Sequence, residues 1–408
     1  MKRVVITGIG AVTPVGNDTE TFWNSITNGV CGIDYITKFD TADCKVKIAA
    51  ELKGFDAADF IEDKSTIRKC DPFTLYAMAA AEQAMRDSDI GEIDKTRLGV
   101  YVGSGIGGME TFVNETEKLM LKGPSRVSPF FIPMMIGNMA AGKIAIHFGA
   151  QGPTLPVVTA CATSSHTVGE AFRAIKHGYA DVIIAGGSEA TVNKLALAGF
   201  TNCKALSETN EPNASSLPFD KRRAGFVMGE GAGILILEEY ERAKARGAKI
   251  YAEICGYGNT CDAYHITAPH PESLGAARAI ELALEESGIK TDKLYINAHG
   301  TGTPLNDKAE TLAIKKALGE DARSALVSST KSMTGHMLGA AGAIEAAAAA
   351  LALCHKIVPP TINYEEPDPE CDLDYVPNTA READVTVALS LSLGFGGHNA
   401  CIAIKKPD

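Results

Sequence analysis

No run of apolar residues approaches the ~20 needed to carry a helix across a bilayer, so no membrane span is expected. The ten cysteines have neither the density nor the short, regular spacing of a disulfide scaffold, which points to a reducing cytoplasm. Basic residues are outnumbered, 39 Lys and Arg against 50 Asp and Glu, and the net charge of −11 argues against general affinity for nucleic acid. Any basic site must be local. Nor is a secretory leader expected: Lys2-Arg3 precedes VVITGIGAV, but that run is short, broken by glycines and lacks a small-residue cleavage site, so it reads as a first core strand. Nor is there a complete dinucleotide fingerprint. Gly8-Ile-Gly10 has Thr13 where a third glycine belongs, GSGIGG (103–108) has no ribose-binding acid after a second strand, and GEGAG (229–233) precedes a strand instead of following one.

What is present is a large apolar fraction, 45% of 408 residues, enough for two domain-sized units around a sizeable core. The runs RVVITGIGAV, LGVYVGSG, VVTACA, DVIIAGGSEA and GILILEEY alternate with helical periodicity up to the charged helix EEYERAKARGAK. Beyond it the theme restarts with IYAEICGYG, KLYINAHGTGTP, ALVSSTKS and VALSLSLGFGGHNACIAIKK. This is α/β patterning in two similar halves, 1–248 and 249–408. Each half carries a polar turn leading into a helix of small residues, ATSSHTVGEAFRAIKHG in one and TGHMLGAAGAIEAAAAALALCHK in the other; such helices can pack closely at a centre. The segments 105–137 and 193–226 do not fit the repeat and read as insertions that build a pocket.

Within TACATSSHTVGEAFRAIKHG, Val168, Ala171, Phe172 and Ile175 recur at helical spacing and Gly178 is a stop signal. Cys161 therefore stands just before a helix start, whose free N–H groups and partial positive charge lower a thiol pKa and can hold an oxyanion. A buried apolar thiol is the ordinary alternative, and it suits most of the other nine cysteines. Two histidines supply partners: His299 at a strand end in NAHGTGTP and His336 at a helix start in STKSMTGHMLGAAG.

The pieces VTACATSSH, NAHGTGTPLNDKAE, SSTKSMTGHMLGAAGAIE and LGFGGHNA resemble, in order and along the whole chain, the 3-oxoacyl-[acyl-carrier-protein] synthases of the thiolase superfamily, most of all their elongating type II branch. The resemblance implies a thiolase-like fold in α-β-α-β-α layers, a homodimer, and decarboxylative condensation of a malonyl thioester with an acyl-enzyme in fatty acid elongation. A polyketide-type ketosynthase shares these motifs and is the alternative. It further implies Cys161 as nucleophile, His299 and His336 as donors to the malonyl enolate, and an oxyanion site between the backbone N–H groups of Cys161 and Phe395, the latter also an aromatic gate. Lys331 and Glu345 carry over as supporting residues, Thr301 and Thr303 as pantetheine contacts, and Ile106 and Phe200 as acyl-tunnel walls. Glu345, set among alanines, needs a buried partner. No cofactor is required beyond the phosphopantetheine on an acidic carrier protein, with a structural monovalent cation near Asn297 and Glu345. Lys64, Arg68, Lys69, Lys122, Arg126 and Lys204 are the local basic groups that could dock the carrier. One departure stands before the gate: Leu391-Ser392-Leu393 replaces the Asn-Ser-Phe of many relatives, which touches both the cation site and the packing of the gate.

Overall fold

The computed structural model describes residues 1–407. The aliphatic runs become strands β1 (Val4–Val12), β2 (Leu98–Gly103), β3 (Val182–Glu189), β4 (Gly231–Glu239), β5 (Ala252–Cys261), β6 (Leu294–Asn297), β7 (Leu326–Ser328), β8 (Val387–Gly394) and β9 (His398–Lys405). Among the described residues these form one sheet in the order β2-β3-β4-β1-β5-β9-β8-β6-β7. The order contains a repeat. From β1 outward the pairings with β4, β3 and β2 run antiparallel, antiparallel and parallel, and from β5 outward those with β9, β8 and β6 do the same. The halves are stitched where Val4–Ile6 of β1 meets 252–254 of β5.

The repeat departs from the expected strands at one place. In the second half β7 adds in parallel to β6, whereas its counterpart VVTACA forms no strand; the first half has only a parallel bridge between Val100 and Thr154 there. This run leaves the sheet, exposes Val158 and closes into a tight turn at Ala160–Ala162.

Helices α1 (Pro72–Ser88) and α2 (Met139–Phe148) cover the outer face of the first half-sheet, and α4 (Leu274–Ser287) with α5 (Pro304–Leu318) covers that of the second. Between the half-sheets lie α3 (Thr163–Lys176) and α6 (Ala341–His355), which completes the α-β-α-β-α layering of a thiolase-like fold. Small side chains make that central layer possible. Every residue of α6 from Ala341 to Leu353 is buried, and a Cβ on Gly342 would stand 2.1 Å from Ser165 Oγ of α3. The two helices are also bonded, Ser164 Oγ accepting from the Ala343 N–H at 2.9 Å.

The 18-residue stretch Leu338–His355 is apolar enough by length and composition to cross a membrane, contrary to the expectation from the sequence, but 89% of it is buried inside the protein. Its hydropathy comes from alanines wedged between the two half-sheets. The glycines of β1 likewise have a packing role: a Cβ at Gly8 or Gly10 would lie 2.2 or 1.9 Å from the carbonyl oxygens of Ala84 and Ala80, so bare glycine lets α1 lie flat on the strand. Of the two insertions, 193–226 contributes Ala196, Leu197 and Phe226 to an apolar cluster that includes Cys161 and Leu338.

Candidate active site

The two polar turns that the repeat pairs, 159–163 and 335–341, converge at the C-terminal ends of the parallel strands, where α/β folds place their chemistry. Cys161 lies in the tight turn one residue before the cap of α3. Ala160 just before it takes a left-handed φ of +49°, a costly conformation for a residue with a Cβ. One nitrogen of His299, one of His336 and the Cys161 sulfur lie within 4.8 Å of one another. The two rings are nearly perpendicular, with centroids 5.3 Å apart.

All three line a cavity of about 360 Å³ together with Thr301, Thr303 and Phe395. The threonine hydroxyls bond each other at 3.0 Å. Lys204 reaches the same cavity, whereas Lys64, Arg68, Lys69, Lys122 and Arg126 are exposed outside its lining. The expected tunnel residues are not brought in: Ile106 is 46% exposed and Phe200 packs edge-on against Phe226. Phe226 is the ring that lines the cavity and meets His336 edge to face at 5.1 Å.

Burial decides the protonation states. His299 and His336 are held well below the ordinary imidazole range, first by desolvation and then by the Lys331 ammonium, with each ring's neighbour adding to the effect at His299. Both are neutral donors-in-waiting. Nδ1 of His336 accepts the Leu338 N–H at 3.3 Å, which puts the ring proton on Nε2. That Nε2 and Nδ1 of His299 are buried with no protein partner among the described residues.

For Cys161 the expected lowering is overturned. Desolvation pushes the thiol up to about 11, against the pull of Lys331 and of the backbone N–H groups of Phe395 and Cys161. An almost fully buried sulfur loses more from leaving water than a helix start returns. The rate of alkylation of Cys161 by iodoacetamide should therefore keep climbing with pH beyond about 9, where an exposed thiol levels off; a plateau near 8.5 in the measured profile would contradict this environment.

Glu345 has the buried partner its setting demands. Its Oε1 accepts from Lys331 Nζ, both side chains being at most 2% exposed. Burial still raises the Glu345 carboxyl above its usual range, with Lys331 pulling the other way. Glu345 Oε2, Ser390 Oγ and both polar atoms of the Asn297 side chain are buried and unpartnered among the described residues, and Ser390 stands beside Asn297 in the β6–β8 ladder. Such hard oxygens suit a small cation. Leu391 faces the opposite, apolar side of β8 and is 3% exposed, so it brings no side-chain oxygen to them.

Four residues escaped the sequence reading. Glu310 accepts the N–H groups of His299 at 2.6 Å and Gly300 at 2.8 Å, fixing the loop after β6, and its burial raises it to about 8. Asp307 accepts from Gly302 and Phe219. Their spacing of three, placing both on one face of a helix opened by Pro304, was the available signal. Glu189 and Phe226 gave none, since each sits at the end of an ordinary apolar run.

Fold and site define an acyl-transferring enzyme built on a cysteine and two neutral histidines. Residues 1–243 match the family described as beta-ketoacyl synthase, N-terminal domain, and 251–365 its C-terminal domain, so the chain belongs to the beta-ketoacyl synthase family of condensing enzymes. It is 54% identical over 408 residues to 3-oxoacyl-[acyl-carrier-protein] synthase 2 of Staphylococcus aureus (strain COL), covering 99% of this chain and 98% of that one. The protein of the same name from Synechocystis sp. is 54% identical over 409 residues, with the same coverage. Among solved structures, the ishigamide ketosynthase/chain length factor superposes with a TM-score of 0.92 at 36% identity, over 100% of both chains.

Proposed function

We propose that this enzyme condenses a malonyl group with an acyl group held on Cys161, lengthening a fatty acyl chain by two carbons on an acyl carrier protein. The convergence of Cys161, His299 and His336 within 4.8 Å at one cavity carries the reading. Cys161 attacks the incoming acyl thioester, the carrier's C–S bond breaks, and the thiol proton leaves with the carrier sulfur. The N–H groups of Cys161 and Phe395 hold the oxyanion. Malonyl carrier then binds along Thr301 and Thr303. As CO2 departs, the two imidazoles, kept neutral by their burial and then by Lys331, donate to the enolate oxygen. The enolate carbon attacks the acyl-Cys161 carbonyl, the Cys161 C–S bond breaks, and the freed thiolate takes a proton from solvent, as its high affinity for one requires.

Glu345 holds Lys331, and with Asn297 and Ser390 it would hold a monovalent cation that stiffens the floor of the site. Phe395 gates the cavity, and the left-handed backbone of Gly396 and Gly397 (φ +87° and +78°) gives it room to swing. Exposed apolar side chains between residues 119 and 158, including Met120, Ile146 and Val158, support a homodimer; Ile106 and Phe200 become tunnel walls in that assembly. Cytoplasmic location and the division into 1–248 and 249–408 belong to the same reading. A polyketide ketosynthase is the second reading, favoured by the structural likeness to the ishigamide ketosynthase, but the 54% identity to 3-oxoacyl-[acyl-carrier-protein] synthase 2 exceeds the 36% to that ketosynthase. A hydrolase is disfavoured by the buried site. Mass spectrometry after mixing acyl and malonyl carrier proteins should show a 3-oxoacyl product two carbons longer; release of free fatty acid instead would refute condensation.

One solved relative is a ketosynthase in complex with its acyl-carrier protein. For this chain the exposed Lys69, set 5.1 Å over the Phe130 ring, and Arg126 stand out against a net charge of −11 as docking groups for an acidic carrier. Reversing either charge should lower kcat/KM for carrier-bound substrate by several-fold at low salt, an effect screened over about 8 Å at physiological salt. Coenzyme A thioesters should be used as well as before. An equal loss on both substrates would remove these residues from docking.

A further inference from the structure

One buried carboxylate near the nucleophile has no part in the chemistry above. Glu189, at the end of β3, is fully buried, and no cation among the described residues pairs with it: Oε1 accepts from Ser104 Oγ at 2.8 Å and the Ile106 N–H at 3.3 Å, while Oε2 accepts from the N–H groups of Gly105 at 2.9 Å and Gly339 at 3.0 Å. These donors come from two segments that are far apart in sequence. Ser104 to Ile106 form the loop that carries the proposed acyl wall. Gly339 follows Leu338, whose N–H fixes the His336 tautomer.

The junction is tight. A Cβ on Gly105 would stand 2.6 Å from Glu189 Oε2 and 3.3 Å from the carbonyl oxygen of Ala160, the residue before the nucleophile; one on Gly339 would stand 2.4 Å from the Gly105 nitrogen. The carboxylate ties the two segments, Oε2 accepting from Gly105 and Gly339 together while Oε1 holds Ser104 and Ile106. Ser104 Oγ in turn accepts the Gly107 N–H at 2.8 Å, extending the hold along the loop.

We infer that Glu189 is a positioning residue that locks the acyl-wall loop at 104–106 to the turn presenting His336, so that the acyl and malonyl halves of the site share one mechanical tie. This rests on the roles proposed above for Ile106 and His336. A carboxylate suits the task since it is acceptor-only and can serve donors on both oxygens; an amide cannot.

Glu189→Gln and Glu189→Leu separate the two sides. In the Gln variant the amide oxygen stays with the two fixed N–H groups of Gly105 and Gly339, and the NH2 turns to the Ser104 hydroxyl, which can rotate to accept it. Ile106 loses its acceptor. The ratio of rates with long and short acyl groups should then shift by at least about threefold, with malonyl decarboxylation within about twofold of wild type. In the Leu variant both sides are freed, and decarboxylation should fall roughly tenfold or more while alkylation of Cys161 by iodoacetamide stays within about threefold. A wild-type acyl profile in folded Glu189→Gln overturns the inference, as does a Leu variant that loses alkylation and decarboxylation in equal measure. Should Glu189→Leu not fold, the Gln result decides. Wild-type enzyme in the same assays keeps the failures apart: if it neither forms acyl-Cys161 nor releases CO2 from malonyl, the reading of the site falls and takes this inference with it.

Discussion

Cys161→Ala is expected to abolish acyl transfer while malonyl decarboxylation stays measurable. Only the first half of the reaction needs a group that accepts an acyl chain and gives it up again, and a methyl group offers no nucleophile. The decarboxylation needs donors at the enolate oxygen, and those are the imidazoles, whose positions do not depend on the sulfur: His299 is held through Glu310 and His336 by backbone bonds to Val227 and Gly229. Loss of the thiol also leaves no unpaired buried charge, since at about 11 the group is a neutral thiol at neutral pH, so the fold should be kept. Intact-mass detection of the acyl-enzyme and trapping of released CO2 check the two halves separately. Cys161→Gln should release CO2 faster than Cys161→Ala, because its amide resembles the acylated state.

His336→Ala and His299→Ala should each slow decarboxylation by about 10²–10³, the usual effect of removing one well-placed oxyanion donor. Self-acylation of Cys161 should suffer far less. The site supports this division: both rings are held neutral and keep a nitrogen without a protein partner, the state of a donor waiting for charge to develop. Their neutrality also means that decarboxylation should not decline as pH falls through 6.5, where an ordinary imidazole would become charged. A decline there would show that one ring titrates normally.

Much of this site was legible before any coordinates, and for physical reasons. The motifs around Cys161, His299 and His336 are dense in Gly, Ser and Thr because turns and close backbone contacts demand them, and that density marks them in the sequence. That Glu345 needs a buried partner could be anticipated, because a lone carboxylate in an alanine helix is too costly to bury, but its being Lys331 came from the structure. The thiol pKa could not be read, because the helix-start effect is local to the sequence whereas desolvation is set by everything packed around the sulfur. VVTACA looked like a strand because its residues suit one, but the chain turns at Ala160–Ala162 to present Cys161 just before α3. Ile106 and Phe200 were placed by resemblance, and a single chain does not bring them to the cavity. Glu189 acts through backbone N–H groups of distant segments, which no sequence pattern displays, whereas Asp307 and Glu310 left only their spacing of three on one helix face.

The most direct test of the central claim, a division of labour between sulfur and imidazoles, is a crossed single-turnover measurement. Wild type, Cys161→Ala and His336→Ala would each be mixed with acyl carrier and, separately, with malonyl carrier, and acyl-enzyme mass and CO2 release followed. The account predicts that Cys161→Ala forms no acyl-enzyme yet releases CO2, and that His336→Ala forms acyl-enzyme yet releases CO2 at least about a hundredfold more slowly than wild type. Equal loss of both steps in His336→Ala, or acyl transfer surviving in Cys161→Ala, would contradict it.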